Sequence, residues 1–249
     1  MSSFAFVTGT SSGIGLALAR SLLSRGWRVA GLSRRVAPLD HPQYRHVQLD
    51  LGDLEKLARE LPAFLEPLIA EQAWRTVALV NNAALSGGFG GVESMAPKEI
   101  EHALAVDCHA PIWLMGCVAS LSPSTATLRI VNLSSGAAHG GYPGLSLYGA
   151  SKAALRIAGQ SLAAEWDSPD RPGGKRHGAA ILSYEPGVVD TEIQTYARTR
   201  STSEFPWVKM FRDFEAQGLL VPPEKVIGPI VAFLENPKAH GWREERYSG

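Results

Sequence analysis

The chain has 249 residues, enough for one α/β unit with a substantial core. Lys plus Arg and Asp plus Glu both number 24, so the formal charge is zero and gives no electrostatic case for nucleic acid or an anionic membrane as partner. No charged n-region followed by an apolar h-region opens the sequence, which predicts no signal peptide and a cytoplasmic protein.

The elements begin at once. Phe4-Ala5-Phe6-Val7 is a short apolar run of the kind that makes a buried parallel strand, predicted over 4–8. It enters Thr8-Gly9-Thr10-Ser11-Ser12-Gly13-Ile14-Gly15. Leu16, Ala17, Ala19, Leu22 and Leu23 then repeat at helical spacing and predict a helix over 13–25. Strand, glycine turn and helix is the arrangement in which backbone amides at a helix N-terminus hold a pyrophosphate. The next strand, 27–32, ends in Ser33-Arg34-Arg35. In a dinucleotide site the residue after this strand faces the adenosine ribose; an acid there binds a 2′-hydroxyl, whereas arginine accommodates a 2′-phosphate. Arg34 and Arg35, with no acid beside them, therefore point to NADP(H).

Further strands are expected at 45–49, 77–81, 127–133 and 178–184, with a short last one near 243–247. Helices are expected at 52–69, 97–121 with a break near Ala110-Pro111, 147–166 and 222–235. This alternation implies a doubly wound parallel sheet in a single domain spanning 1–249, with no repeat and no linker. The most apolar stretch, 103–121, contains Asp107 and His109 and reads as a buried helix, not a membrane span. Cys108 and Cys117 on that helix would lie roughly 13 Å apart, beyond disulfide reach. The seven histidines have no zinc-type spacing, so no metal site is expected.

Tyr148-Gly-Ala-Ser-Lys152 places a phenol and an ammonium one helical turn apart, on one face, thirteen positions after Ser135. A fixed ammonium favours the phenolate, and a serine hydroxyl can hold the oxygen of a carbonyl or alcohol, so the set suits proton transfer at that oxygen. A surface pair on an ordinary helix is the plain alternative; the glycine turn decides against it.

Two segments stand apart. The polar stretch 168–177 joins a helix to the start of a strand and is expected opposite the site, as an exposed insertion. The stretch 188–221 follows the end of a strand, carries Tyr196, Trp207, Met210 and Phe211, and has the length of an active-site lid. Phe89 and Tyr142 lie in glycine-rich loops that could line the same pocket. His139 could touch substrate, though a structural role is the simpler reading. Glu185 either binds a polar substrate group or pairs with an arginine or lysine.

Together these residues resemble the short-chain dehydrogenase/reductase family, over Phe4 to about Tyr247. The family's glycine turn matches Thr8 to Gly15 (Gly9, Ser11, Ser12, Gly13, Ile14 and Gly15 among the nucleotide contacts), and its Asp before the adenine matches Asp50, followed by Leu51. Its Asn-Asn-Ala-Gly segment matches Asn81-Asn82-Ala83-Ala84, with alanine for the last glycine. Its Ser/Tyr/Lys group matches Ser135, Tyr148 and Lys152. Its nicotinamide segment matches Pro186-Gly187, with Val189 following and Thr191 in the place that often holds the carboxamide. The family's catalytic asparagine is replaced by Asp107, which lacks the NH₂ donor. The stretches 185–194 and 211–221 look like the sepiapterin reductase and benzil reductase group, with Glu245 the nearest match to that group's acidic substrate ligand.

The resemblance implies a Rossmann-type fold and an NADPH-dependent carbonyl reductase, acting on a ketone such as a vicinal dicarbonyl. It also implies a homodimer or homotetramer associating through the helices around 100–121 and 147–166. Alternatives are an NAD-linked alcohol dehydrogenase of other specificity and a non-catalytic NADP-binding regulator, the latter favoured only by Asp107 and Ala84.

Overall fold

The computed structural model describes residues 2–249. Seven strands form one sheet in the order β3-β2-β1-β4-β5-β6-β7, and every neighbouring pair runs parallel. The strands are β1 (Ser3–Thr8), β2 (Arg28–Leu32), β3 (Tyr44–Val47), β4 (Thr76–Asn81), β5 (Thr127–Leu133), β6 (Ala180–Glu185) and β7 (Gly241–Arg246). Helices α1 (Gly13–Ser24), α2 (Leu54–Ala70), α3 (Pro97–Leu104), α4 (Ala110–Leu121) and α5 (Ser146–Asp167) make the connections. They are followed by α6 (Glu192–Thr199), α7 (Val208–Ala216), α8 (Pro223–Val226) and α9 (Gly228–Glu235).

A parallel sheet must be covered on both faces, and β1 shows how the sequence provides for this. Side chains alternate along a strand. Phe4 and Phe6 enter a core with Leu57, Leu61 and Leu65 of α2 and Leu114 of α4, whereas Ala5 and Val7 enter a second core with Leu18 and Leu22 of α1 and Ile230 of α9. In α2 the buried residues Leu57, Leu61, Leu65 and Ile69 recur every four positions, and this stripe carries the helix through Pro62 and Pro67 despite two missing amide donors.

Two expected helices are interrupted elsewhere than the sequence suggested. The stretch 97–121 departs from α-helix at Ala105–His109, one turn before Ala110-Pro111. Pro111 has no N–H to give the Asp107 carbonyl, so the preceding turn widens to a π-turn in which the Ala110 amide bonds back to the Ala105 carbonyl. The stretch 222–235 is two helices, because Pro229 cannot donate to the Lys225 carbonyl and disfavours helical backbone just before it. The run Pro97–Leu121 is long and apolar enough to cross a membrane by length and composition, yet half of its most apolar window is buried within this fold.

The 168–177 segment is mostly exposed, as expected, but it is fastened. Arg176 donates to the Ala119 and Ser122 carbonyls at 2.9 and 3.0 Å, capping the C-terminal end of α4. A second arginine is wholly interior. Arg129 of β5 is 1% exposed and donates from one terminal nitrogen to the Leu128 and Gly178 carbonyls and from the other to that of Asn236. Burial without a carboxylate partner depresses its pKa. Replacing it with leucine leaves those carbonyls short of donors. Arg129→Leu is expected to lose about 1–3 kcal/mol of unfolding free energy in a urea titration, and an unchanged midpoint would show the guanidinium to be dispensable.

Candidate active site

The sheet order reverses between β1 and β4, and ligands of open α/β sheets bind at such a point, beyond the strands' C-terminal ends. A cleft of about 430 Å³ lies there. The end of β1 builds its floor. Thr8 Oγ1 accepts from the amides of Asn82 and Ala83, both at 3.0 Å, and Asn82 Nδ2 donates to the Thr8 carbonyl at 2.8 Å. Gly9 has φ +75°, and a methyl on Gly15 would lie 2.3 Å from the Gly9 carbonyl oxygen. Only glycine at both places lets α1 begin this close to β1. Behind the turn, buried Thr10 shares a 2.9 Å hydrogen bond with the Tyr44 hydroxyl, which meets His46 Nδ1 at 3.0 Å.

Most residues singled out from the sequence share the cleft wall. Gly9, Ser11, Ser12, Gly13 and Ile14 line one end, with Arg34, Arg35, Asp50 and Leu51 beyond them; Asn82, Ala83 and Ala84 line the middle. Tyr148, Lys152, Pro186, Gly187, Val189 and Thr191 line the other end. Gly15 does not; it packs between Gly9 and Asn82 behind the wall. Ala84 has no positive φ, so its methyl in place of the family's glycine strains nothing. Arg35 binds Glu192 at the start of α6 at 2.5 Å and holds that carboxyl below its ordinary range, while Arg34 is exposed.

At the reacting end, Lys152 is 3% exposed, donates from Nζ to the Leu133 carbonyl at 3.0 Å and stands 5.7 Å from the Tyr148 ring centre. Ser135 begins a short 3₁₀ turn, and its Oγ accepts from the Ala137 amide at 3.2 Å, which leaves the hydroxyl proton free to donate. Leu133 and Ser134, not Ser135, reach the cleft wall in this structure. Asp107 sits in the π-turn, 3% exposed, and its Oδ1 accepts from the Leu85 amide at 2.8 Å. It therefore clamps the β4 loop rather than facing the reacting oxygen.

Other expectations are redistributed. The bridge Val189–Val221 closes the base of the 188–221 segment. Phe205 and Phe211 are buried in a small core with Phe89 and Tyr148, whereas Trp207 and Tyr142 are exposed. His139 and Glu185 meet at 2.6 Å, and His139 also lies 3.3 Å from Glu244. Arg246 stands 3.6 Å from Glu185, and Arg156 holds Glu244 through two nitrogens. Glu185 thus pairs with Arg246 and His139, which also joins the Ser135 turn, the end of β6, α5 and β7. Three ligand-type atoms of His139, Glu185 and Glu244 lie within 4.8 Å of one another, but both carboxylates already have arginine partners. Glu245 is on β7, opposite Tyr184, and outside the cleft lining. No sequence spacing announced this network, because four separate segments supply it.

A family model described as short chain dehydrogenase matches residues 3–202. The chain belongs to the short chain dehydrogenase family. Among its relatives, the benzil reductase ((S)-benzoin forming) of Bacillus subtilis (strain 168) is 28% identical over 236 residues, covering 94% of each chain. That of Bacillus cereus is 27% identical over 240 residues, covering 93% of this chain and 94% of its own. A short chain dehydrogenase/reductase structure from Saccharomyces cerevisiae overlays with a TM-score of 0.81 at 21% identity, over 99% of this chain and 96% of that one. The short chain dehydrogenases are oxidoreductases acting on CH–OH or carbonyl groups with a nicotinamide nucleotide.

In this short chain dehydrogenase, burial raises the pKa of Asp107, opposed by Lys152 and by the Leu85 amide. An acid whose native pKa lies above its unfolded value loses stability as pH climbs from the unfolded value, about 3.9, through the native one. Asp107→Asn keeps the oxygen for Leu85 and removes that titration. Denaturant unfolding is expected to show the variant gaining on the wild type as pH rises through this window, with the two converging at the acid end. A pH-independent difference would mean that the carboxyl has the same pKa in the folded and unfolded states.

Proposed function

We propose that this enzyme is an NADPH-dependent carbonyl reductase acting on a ketone beside a second carbonyl. The observation that carries the chemistry is that Tyr148 and Lys152 line one end of a cleft, with the Ser135 turn packed against Gly149 beside Tyr148, while the other end is a glycine turn at a helix N-terminus. Relatives named benzil reductase support the substrate class.

The cleft fits a dinucleotide. The α1 N-terminus offers free amides and a positive dipole end for the pyrophosphate, and Ser12, its cap residue, uses its side chain for no cap of its own. Asp50 and Leu51 would flank the adenine, and Asn82 to Ala84 the ribose side. Pro186, Gly187 and Thr191 would hold the nicotinamide, and Lys152 its ribose. When bound, the nicotinamide supplies a hydride for the carbonyl carbon.

The protein supplies the proton and the placement. Tyr148 donates its hydroxyl proton to the carbonyl oxygen, completing the alcohol. Ser135, its own oxygen engaged by Ala137, donates a hydrogen bond to the same oxygen and orients it. Lys152 stabilises the resulting phenolate from beside the ring. Asp107 acts as a positioning residue that fastens Leu85 to the π-turn beneath these groups. Tyr148→Phe removes the transferable proton and is expected to lower kcat by at least about a hundredfold. Stopped nicotinamide absorbance change together with retained nucleotide fluorescence titration would support the role; near wild-type turnover on 1,2-diketones would sink it.

Preference for the 2′-phosphate rests on Arg34 and Arg35 at the cleft edge, with Ser33 where an NAD-selective site would place an acid. The double variant Arg34→Ala/Arg35→Ala is expected to weaken NADPH on the order of tenfold or more while sparing NADH, since each charge-assisted contact contributes about 1.5–3 kcal/mol. Equal loss for both nucleotides in parallel titrations would refute the assignment.

A further inference from the structure

Beyond the nucleotide cleft, one residue is placed in a way the reaction does not explain. Phe89 stands alone between two glycine pairs, Gly87-Gly88 and Gly90-Gly91. Gly88 has φ +73° and Gly90 φ +137°, backbone that side-chain-bearing residues rarely adopt. The segment hangs between β4 and α3, held to the Ser135–Tyr148 loop by the Gly90 amide, which donates to the Gly144 carbonyl at 2.9 Å.

The Phe89 ring fills a slot of rings. It meets the Tyr148 ring edge-on, centroids 5.8 Å apart at 72°. It stacks on Phe205 at 5.9 Å and 22°, and it lies 5.7 Å from Phe211 and 6.4 Å from Tyr196. Phe205, Phe211 and Tyr196 all come from the 188–221 segment, so one phenyl group couples the lid to the side chain that gives the proton. Leu85 and Ser86, immediately before the first glycine pair, line the cleft beside Tyr148. Tyr148 belongs to both, lining the cleft on one side and meeting Phe89 on the other, so the slot adjoins the cleft and holds one phenyl ring.

We propose that Phe89 is a displaceable stopper, and that the slot it fills is the binding site for a flat aromatic group carried by the substrate next to its reacting carbonyl. The inference rests on the carbonyl-reductase reading and specifies the substrate class within it. The glycine pairs give the segment the backbone freedom to withdraw the ring. An entering aryl group then takes the same offset and edge-on contacts, which favour ring on ring over ring on aliphatic chain. Filling the slot from within the chain keeps the lid packed when no substrate is present. It also weakens apparent substrate affinity by the fraction of molecules with the slot open.

The test compares wild type with Phe89→Ala and Phe89→Leu, using NADPH or NADH with benzil, which carries two phenyl groups, and with 2,3-butanedione, which carries two methyls. If the slot is open in about one molecule in five, removing the stopper lowers the benzil KM about fivefold and moves the benzil-to-butanedione ratio of kcat/KM the same way. Phe89→Leu, which keeps most of the lid packing, moves it in the same direction by less. A higher benzil KM in both variants would make Phe89 a wall of the site rather than its stopper and overturn the proposal. A ratio unchanged in both would do the same. A second reading is independent of turnover. Toluene is expected to raise the melting temperature of Phe89→Ala more than that of wild type, as an apolar ring-sized cavity binds a ring; the absence of that difference counts against the slot. Wild type inert toward both dicarbonyls with either nucleotide would refute the function proposed above, while the toluene comparison would still report on the slot.

Discussion

The site depends first on a clamp between two strand ends. Thr8 closes β1 with a hydroxyl that receives two amides from the end of β4, and Asn82 returns its own amide to the Thr8 carbonyl. These neutral hydrogen bonds are shielded from water, where they hold geometry well and where leaving any of them unmade is costly. Their effect is to fix the glycine turn against the neighbouring strand at the point where the sheet order reverses. Gly15 packs against Asn82 and against Gly9, the residue after Thr8, so helix, turn and strand are set by one contact region. The glycine turn and Tyr148 can then face each other across a cleft whose ends come from residues more than a hundred positions apart.

A second layer of constraint surrounds the reacting end. Lys152 is anchored to the end of β5, Asp107 to the loop after β4, and the Glu185 network ties the end of β6 to the Ser135 turn. Each anchor joins a strand end to a helix or loop, and two of the three are made to backbone groups, so these side chains are fixed in place by the fold itself. Arg35 and Glu192 extend the same logic to the lid, since their ion pair links the edge of the nucleotide cleft to α6. The 188–221 segment is thus held at two places: by the Arg35–Glu192 ion pair, and by aromatic packing on Phe89 near Tyr148.

Much of this was legible in the sequence for local reasons. The alternation of apolar strands and amphipathic helices gave all seven strands, with β5 matched end to end. The glycine turn, the Tyr148–Lys152 spacing and the aromatic lid could be located because each is a short-range pattern with a short-range cause. The helix break was expected one turn late because the sequence displays the proline, whereas the departure from α-helix appears at the turn whose carbonyl it leaves without a donor. Likewise, Glu185 was visible as an odd polar residue at a strand end, but its partners were not.

What the sequence by itself determined is therefore the set of elements, their parallel alternation and the chemistry-bearing residues at each strand end. Tertiary structure alone decided which distant side chains meet: His139 with Glu185 and Glu244, Asp107 with the Leu85 amide, Phe89 with three rings of the lid. Backbone periodicity is a property of neighbours along the chain and can be read there. Side-chain partnership is a property of packing across the sheet and lid, where the burial of apolar surface selects one arrangement among many that the same residues would allow.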